Sequence, residues 1–449
     1  DQFVSTPVML TVYTDDNNYE CVSGDASCNR FKRAGESFDL KVNAACWEDD
    51  SDTDFRDNAV TPNFELNSIA VIPLLVAPSG GSNGSLDVSS FNFTASDNGT
   101  HTMEQAISEV GVFNFSISPS NYFGESLITQ NSPNIGRFYP DHFQVSGQSN
   151  GAFGDNACGT FTYSGQNFTY TTNPQLTITA YNAANTASVT QNYRGDFIKL
   201  MASNFLIAGP TTDALQPGLD NNLVQLDWTA AVASLTDNNN GSITFTSGND
   251  IYNYEHVANN RIAPFTNVAD LVFSQIKDSD DVPTQGLPVS LRSSGEPIRF
   301  GRLAINNAHG SELLPLAITI QAEYFNGANW QQNTADQCTA LNKVTHLEFT
   351  NNETSGGSFT STMNIGTGTT IPTLSNHNPM ISGSSIITFS APGEDNQGFV
   401  DIQSQLAANY DWLLGDYDND GGYDDEATGR ASFGLFRGSD NIIFRREAY

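Results

Sequence analysis

The sequence predicts an all-β chain organised as tandem β-sandwich domains of immunoglobulin or cadherin type. Short runs rich in Val, Ile, Phe and Thr are bounded by Asn, Gly, Asp and Pro, which is the pattern of strands joined by turns. Apolar residues at helical spacing are scarce. One strand pattern also recurs three times at long and similar separations, which indicates repeated domains.

The repeated unit is a strand in which every second residue is apolar. Its three copies carry the apolar triplets Leu40-Val42-Ala44, Leu176-Ile178-Ala180 and Ile318-Ile320-Ala322. In the first two copies the strand leads into a Thr-x-Asn-aromatic segment, at 61–64 and 190–193, and later into an Asn-Gly turn of hairpin type. We therefore predict three β-sandwich domains, at residues 1–135, 136–296 and 297–449, joined rigidly or semi-rigidly.

Length and composition agree with this division. A chain of 449 residues fits two to four domains of about 100 to 200 residues each. Hydrophobic residues make up 38%, with 29 Phe and 15 Tyr, so each domain can bury a core. The net charge of −32 repels phosphates and anionic lipids, which argues against nucleic acid and membrane partners. The acidic surface favours solubility outside the cell, and some carboxylates remain candidates for binding cations.

Two segments bear on helices and membranes. Residues 400–414 have rough helical spacing but are equally compatible with a strand and a loop, and the sequence leaves the two alternatives open. No run of 18 or more apolar residues occurs, so no membrane span is predicted. The chain opens at Asp1 without a signal sequence, and we expect it to be part of a longer secreted protein.

Five cysteines in a chain rich in Asn, Ser and Thr and poor in Lys fit an oxidising compartment. None of them lies in a Cys-x-x-Cys pair that would indicate zinc or redox chemistry. Cys21 and Cys28 are close enough to close a short loop. The odd number leaves at least one thiol unpaired. For Cys158 or Cys338 the sequence favours a free, buried thiol.

No catalytic constellation stands out, and the sequence predicts a protein that is not an enzyme. Residues 147–151 match the bare G-x-S-x-G pattern around Ser149, but residues 152–155 do not have the pattern of the helix that a nucleophile elbow needs. The six histidines are scattered, and nucleotide-binding glycine loops are absent. Trp47, Trp330 and Trp412 adjoin polar turn residues, as sugar-stacking residues do, although burial in a core is favoured for them.

Two acidic segments are candidates for binding a cation. The segment 50–57 lacks a turn glycine, so a solvated insertion is favoured there. The segment 416–426 resembles the calcium loops of EF-hands and dockerin-type repeats, in which carboxylates at positions 1, 3 and 5 converge around a glycine at position 6. Ala427 occupies position 12, where such loops place a bidentate Glu, so Asp425 or Glu426 would have to supply that carboxylate. We predict a structural Ca²⁺ held by Asp416, Asp418, Asp420, the carbonyl of Gly422, Asp424 and Asp425.

Four motifs carry a resemblance to a known family. They are the segment GRFYPDHF at 136–143, the stretch 300–339, the short run ISEVG at 107–111, and the chain end at 430–438 and 445–449. Together they make the chain similar to the C-terminal region of MshQ-type proteins, the secreted biogenesis protein Q of mannose-sensitive haemagglutinin pili.

The resemblance implies a protein at the extracellular surface of a Gram-negative bacterium. Its role would be adhesive or structural and non-catalytic, with type IV pilus components or host and environmental surface glycans as partners, and with self-assembly as a further possibility. It assigns no catalytic residue. The alternatives are a secreted carbohydrate-binding module of a larger protein or a secreted hydrolase.

Overall fold

The computed structural model describes residues 6–154, 158, 160–212, 226–256, 261–351, 362–375 and 378–434. Strands take up 48% of the chain and helices 3%, which confirms the predicted all-β class. The helical residues form short 3-10 turns at Ala95–Asp97, Gly195–Phe197, Ala202–Asn204 and Asp411–Leu413. The chain-end motif from residue 435 onward lies outside the described residues. No helix in the described part is long and apolar enough to cross a membrane.

The first unit is a sandwich of two sheets, in the orders β5-β2-β1-β7 and β4-β3-β6-β8. Phenylalanines from both sheets, among them Phe38, Phe93 and Phe115, fill the core between them. The strands are β1 (Met9–Tyr13), β2 (Phe38–Ala45), β3 (Leu66–Ala77), β4 (Ser90–Phe93), β5 (Thr100–Gln105), β6 (Gly111–Ser118), β7 (Ile128–Gln130) and β8 (Ile135–Phe138).

The second unit packs a sheet of order β16-β17-β13-β9-β20 against one of order β12-β10-β21-β19-β14, with β11 also on β21 and a separate β15-β18 pair. The strands are β9 (His142–Ser149), β10 (Ala152–Gly154), β11 (Thr162–Tyr163), β12 (Thr169–Thr172), β13 (Gln175–Tyr181), β14 (Phe205–Thr212), β15 (Leu226–Thr229), β16 (Ser234–Asp237), β17 (Ser242–Thr246), β18 (Ile251–Tyr254), β19 (Phe265–Ile276), β20 (Thr284–Gln285) and β21 (Val289–Arg299).

The third unit pairs a sheet of order β22-β24-β30-β29, with β25 on β24, with one of order β23-β32-β31-β26 and a β27-β28 hairpin. The strands are β22 (Gly301–Ile305), β23 (Ala308–Gly310), β24 (Leu316–Phe325), β25 (Trp330–Gln332), β26 (Leu347–Asn351), β27 (Met363–Ile365), β28 (Gly368–Thr370), β29 (Pro372–Leu374), β30 (Ser384–Phe389), β31 (Gly398–Ser404) and β32 (Thr428–Phe433). Residues 400–414 are therefore a strand followed by a loop and a 3-10 turn.

The strands change from one pair of sheets to the next between Phe138 and His142, and again between Arg299 and Gly301. The boundaries predicted at 135 and 296 fall just before these points, and the domain limits themselves stay a prediction.

The predicted repeat is a real structural repeat. Its three strands are β2, β13 and β24, and all nine apolar residues of the triplets are buried to 1% exposure or less. Each strand ends in the same backbone arrangement, which we call the strand-end clamp. In this clamp an alanine N–H donates to a glycine carbonyl, and the carbonyl of the same alanine accepts from the backbone N–H of a third residue. In the order alanine, glycine and third residue, the sets are Ala44-Gly99-Thr61, Ala180-Gly241-Thr190 and Ala322-Gly383-Asn333.

The cysteines pair more fully than predicted. Cys21 and Cys28 form a disulfide with their Cα atoms 5.4 Å apart, as the spacing suggested. Cys158 and Cys338 also form a disulfide, with a Cα separation of 4.9 Å, so the expectation of a free thiol there was wrong. The pairing could not be predicted from the sequence, because the two cysteines are 180 positions apart and meet only where Cys158 packs against the third unit. Cys46 is the free cysteine.

Candidate functional site

The acidic loop, residues 416–426, connects the 3-10 turn Asp411–Leu413 to β32. An antiparallel bridge closes its base, because Gly415 and Asp425 exchange two backbone hydrogen bonds of 2.9 Å. Gly421 adopts φ 95°, a left-handed conformation that glycine takes without steric cost. The sharp turn predicted at position 6 of the loop is therefore present.

Three of the predicted carboxylates converge. Asp416, Asp418 and Asp425 each place one oxygen within 4.8 Å of the other two. Oδ1 of Asp416 is buried and has no hydrogen-bond donor among the described residues, while Oδ2 of Asp425 accepts from the N–H groups of Tyr417 and Asp418 at 2.8 and 3.0 Å. A buried carboxylate oxygen without a donor is unfavourable unless a cation compensates it. The loop therefore fits a hard cation such as Ca²⁺, which prefers oxygen ligands.

The other predicted ligands lie at the edge of this group. Oδ1 of Asp420 accepts from the N–H of Gly422 at 2.7 Å, and Asp424 is exposed. A Cβ at Gly422 would lie 2.7 Å from Oδ1 of Asp424 and 3.0 Å from Oδ1 of Asp420, so glycine keeps the space between these carboxylates open. Asp420 and Asp424 do not belong to the converging group of three.

Glu426 is unavailable to the loop, because its carboxylate holds the chain after β31. Oε1 accepts from the N–H groups of Leu406 and Ala407 at 2.6 and 3.1 Å, and Oε2 accepts from Oγ of Ser404 at 2.5 Å. Of the two residues that sequence considered as a substitute for Glu at position 12, only Asp425 points into the group.

Like charges crowd the loop. The N–H of Asp420 donates to Asp418 and lowers its pKa, but partial desolvation and the neighbouring carboxylates of Asp420, Asp425 and Asp416 outweigh this bond. The pKa of Asp418 is therefore raised above its ordinary value. A bound cation would relieve this repulsion, because it would neutralise the carboxylates that cause it.

The acidic loop also contributes to the joint between the second and third units. The buried ring of Tyr423 meets Phe300 edge to face, with centroids 5.0 Å apart, and its hydroxyl accepts from Nη1 of Arg261 at 3.3 Å. His256 stacks on Phe300 at 4.1 Å, and burial lowers the pKa of His256 to about 4. This cluster combines His256 of the second unit and Phe300 at the boundary between the units with Tyr423 of the loop.

A second set of contacts fixes the same joint. The buried hydroxyl of Tyr163 donates to Oδ2 of Asp336 at 2.8 Å and accepts from Nδ2 of Asn333 at 2.8 Å. The Cys158–Cys338 disulfide adds a covalent link beside these bonds. The second and third units are thus joined by hydrogen bonds, aromatic contacts and a covalent bond.

The joint between the first and second units is built around a buried ion pair. Arg137, 6% exposed, binds Asp280, 11% exposed, through two bonds of 2.5 and 2.8 Å, and its Nε donates to the carbonyl of Cys28 at 3.0 Å. Glu109 accepts from the N–H groups of Gln191 and Asn192 at 3.2 and 3.1 Å. Glu109 and Arg137 belong to the motifs at residues 107–111 and 136–143, so both of these segments help to hold this joint.

Ser149 and the acidic segment 50–57 lack the surroundings that their predicted chemistry needs. Ser149 ends β9 and β10 begins at Ala152, so a strand comes after the G-x-S-x-G pattern where an elbow needs a helix. In the segment 50–57, Asp54 forms two bonds of 2.7 and 3.0 Å with Arg56, which offsets part of the charge. Trp47 is 59% exposed, whereas Trp330 and Trp412 are half-buried.

Fold and joints together define a modular all-β protein of tandem β-sandwich units. Three successive parts of the chain match one family, DUF6701: its second domain over residues 6–104, its third over 109–303 and its fourth over 299–448. The chain belongs to the DUF6701 family and carries these three of its domains.

Several solved structures match the chain at low sequence identity. Invasin, a bacterial integrin-binding protein, is 10% identical over 95% of this chain and 60% of its own, with a TM-score of 0.21. The I9–I11 tandem from titin is 4% identical over 90% and 94%, with a TM-score of 0.21. The chain thus spans 60% of the invasin chain, and at these TM-scores the likeness carries no argument. No curated protein sequence matches.

Proposed function

We propose that this chain is an extracellular adhesive or structural protein of the bacterial surface, without catalytic activity, that acts with type IV pili in the manner of MshQ-type proteins. The observation that carries the proposal is the construction of the two joints. Both are fixed by buried, specific contacts, which flexible linkers between independent modules do not make.

Relative motion of the units would be unfavourable because it would separate buried groups from their partners. A buried charge such as Arg137 is tolerated only while its partner Asp280 stays in place. Relative rotation of the first two units would separate this pair and leave each charge without its partner. The joint between the second and third units, which we call the second joint, has the Cys158–Cys338 disulfide and the Tyr163–Asp336 hydrogen bond. Units with fixed orientations transmit position and load along the chain, as a structural or adhesive surface protein requires.

Deletion of the gene tests this function. We expect loss of surface attachment or of piliation, restored by the native gene. The hydrolase alternative predicts turnover of glycan or ester substrates by the purified chain, abolished by Ser149→Ala. Attachment and piliation that are both unchanged by the deletion would contradict the proposal, as would such turnover.

We propose further that the acidic loop binds one structural Ca²⁺, with Asp416, Asp418 and Asp425 as the principal ligands and Asp420, Asp424 and the carbonyl of Gly422 completing the shell. The support is the buried Oδ1 of Asp416 and the convergence of three carboxylates. Bound calcium would stabilise the second joint as well, because Tyr423 lies in this loop and packs in that joint.

Thermal unfolding with calcium and with chelator tests the cation. At ten times the dissociation constant, we expect about 1.4 kcal/mol of added stability from the binding equilibrium. Asp418→Ala combined with Asp420→Ala should remove the calcium effect. Asp50→Ala combined with Asp57→Ala, which takes the same charge from the other acidic segment, should keep it. Equal melting temperatures of the native chain with and without calcium would contradict the proposal.

A further inference from the structure

A solvent-open cavity of about 450 Å³ lies at the second joint, apart from the acidic loop. Its walls come from both units: the second unit contributes Gln166, and the third contributes His346, Asn409, Tyr410 and Trp412. Ligand pockets commonly lie at domain interfaces and combine an aromatic lining with a few placed polar groups. The cavity has both properties.

Two aromatic rings form a corner of the cavity. Tyr410 and Trp412 meet edge to face with centroids 5.5 Å apart, and the Tyr410 hydroxyl donates to the carbonyl of Ala340 at 3.1 Å, which fixes its ring. The second unit approaches closely behind Trp412, because Gly165 has φ 96° and a Cβ there would lie 2.9 Å from Cβ of Trp412. The corner is therefore held in place by packing and by a hydrogen bond.

The polar groups of the cavity are partly fixed as well. Nδ1 of His346 accepts from the N–H of Asn342 at 3.0 Å, so the proton of the neutral ring is on Nε2, which is a donor. Oε1 of Gln166 accepts from the N–H of Tyr163 at 3.3 Å, which leaves its amide NH₂ as a donor. The Asn409 side chain is exposed and can both donate and accept.

The chemistry of the lining selects the class of ligand. None of the described residues that line the cavity is an acid, a lysine or an arginine, so an ion would find no opposite charge there. An apolar corner beside neutral donors and acceptors matches a ring with C–H groups on one face and hydroxyls around its edge. A larger cavity of about 580 Å³ over β31 and β32 is instead lined by charged groups, among them Glu348, Asp401 and Arg430.

We propose that the cavity at the second joint binds one neutral pyranose unit of a surface glycan. The sugar face packs on Trp412 and Tyr410, and His346, Gln166 and Asn409 bind its hydroxyls. The inference rests on the proposed adhesive function and names the class of ligand that such a function would use.

The test uses the purified chain and the methyl glycosides of glucose, galactose, mannose and N-acetylglucosamine as probes. Saturation-transfer NMR and calorimetry should detect at least one of them at concentrations up to about 50 mM, well above the ~1 mM dissociation constant of a weak site. Trp412→Ala should weaken binding about tenfold or more, as loss of an aromatic stacking surface does. The matched control Trp47→Ala changes an exposed tryptophan outside the cavity and should leave binding unchanged.

Asn409→Ala keeps the test decisive if Trp412→Ala fails to fold, because Asn409 is exposed and its loss should weaken binding several-fold at an unchanged melting temperature. Absence of binding by the native chain to all four probes overturns the site, as does undiminished binding by both cavity variants. A chain that binds no sugar while gene deletion still abolishes attachment overturns only this site. Sugar binding without any attachment or piliation defect overturns only the proposed function.

Discussion

The stability that the strand-end clamp contributes can be tested by a substitution at Gly241. This residue has φ 82°, and a Cβ added to it would lie 2.2 Å from the carbonyl oxygen of Thr190. That carbonyl cannot move away freely, because the N–H of Thr190 is bonded to Ala180, which also donates to the carbonyl of Gly241 at 2.9 Å. Gly241→Ala therefore costs about 1 kcal/mol for the left-handed backbone and a further ~1–3 kcal/mol for a disrupted buried hydrogen bond.

Gly286→Ala is the matched control, because Gly286 has φ 81° and no other atom within 4 Å of the added Cβ. It carries the backbone cost alone. At ~2–4 °C per kcal/mol for a unit of this size, we expect calorimetry to show melting temperatures lowered by roughly 4–16 °C for Gly241→Ala and ~2–4 °C for Gly286→Ala. Equal shifts in the two variants would show that the contact with Thr190 adds no cost, and would refute the proposed contribution of the clamp to stability.

Two further predictions concern the joints. Asp280→Ala should lower the free energy of unfolding by about 3–5 kcal/mol in a denaturant titration, since it leaves Arg137 buried without its partner. The control Lys277→Ala breaks an exposed pair with Asp281 and should cost under about 1 kcal/mol. Similar losses in the two variants would show that the buried pair contributes no more than the exposed one. His256 has its pKa lowered to about 4, so its stabilising contribution is complete above pH ~6.5 and is lost as the pH falls towards 4, by about 3 kcal/mol in total. His256→Phe should flatten the melting temperature over this range, and an unchanged pH profile would count against the assignment.

The repeat shows how far the sequence could predict the fold. Alternating apolar residues identified all three strands. The Thr-x-Asn-aromatic segment was recognised only as a shared feature of the first two units, and its Thr61 and Thr190 supply the clamp bonds there. The third clamp uses Asn333, and Asp336 occupies the place of Phe64 and Tyr193, each donating its N–H to the residue three before it. Since the clamp consists of backbone hydrogen bonds, side-chain identity can change there and conceal the third copy.

The joints could not be predicted, because their partners are distant in sequence. Arg137 and Asp280 are 143 residues apart, and neither position shows a periodicity that would pair them. The acidic loop could be predicted in part, since Asp-x-Asp-x-Asp-Gly places its carboxylates and its turn locally. The sequence could not show whether Asp425 or Glu426 points into the loop. Hydrogen bonds from Ser404, Leu406 and Ala407, which lie outside the loop, hold Glu426 away from it.

The Cys158–Cys338 disulfide determines how the chain would respond to a pulling force. Tension applied at the two termini would pass directly from one sulfur to the other. It would bypass the chain between two cysteines that are 180 positions apart, which includes β11 to β25. At about 3.5 Å per residue, this segment stores roughly 630 Å of contour length that stays locked while the bond is intact. Most of the second sandwich would thus be shielded from shear, and a reducing agent would release that length as a single additional extension.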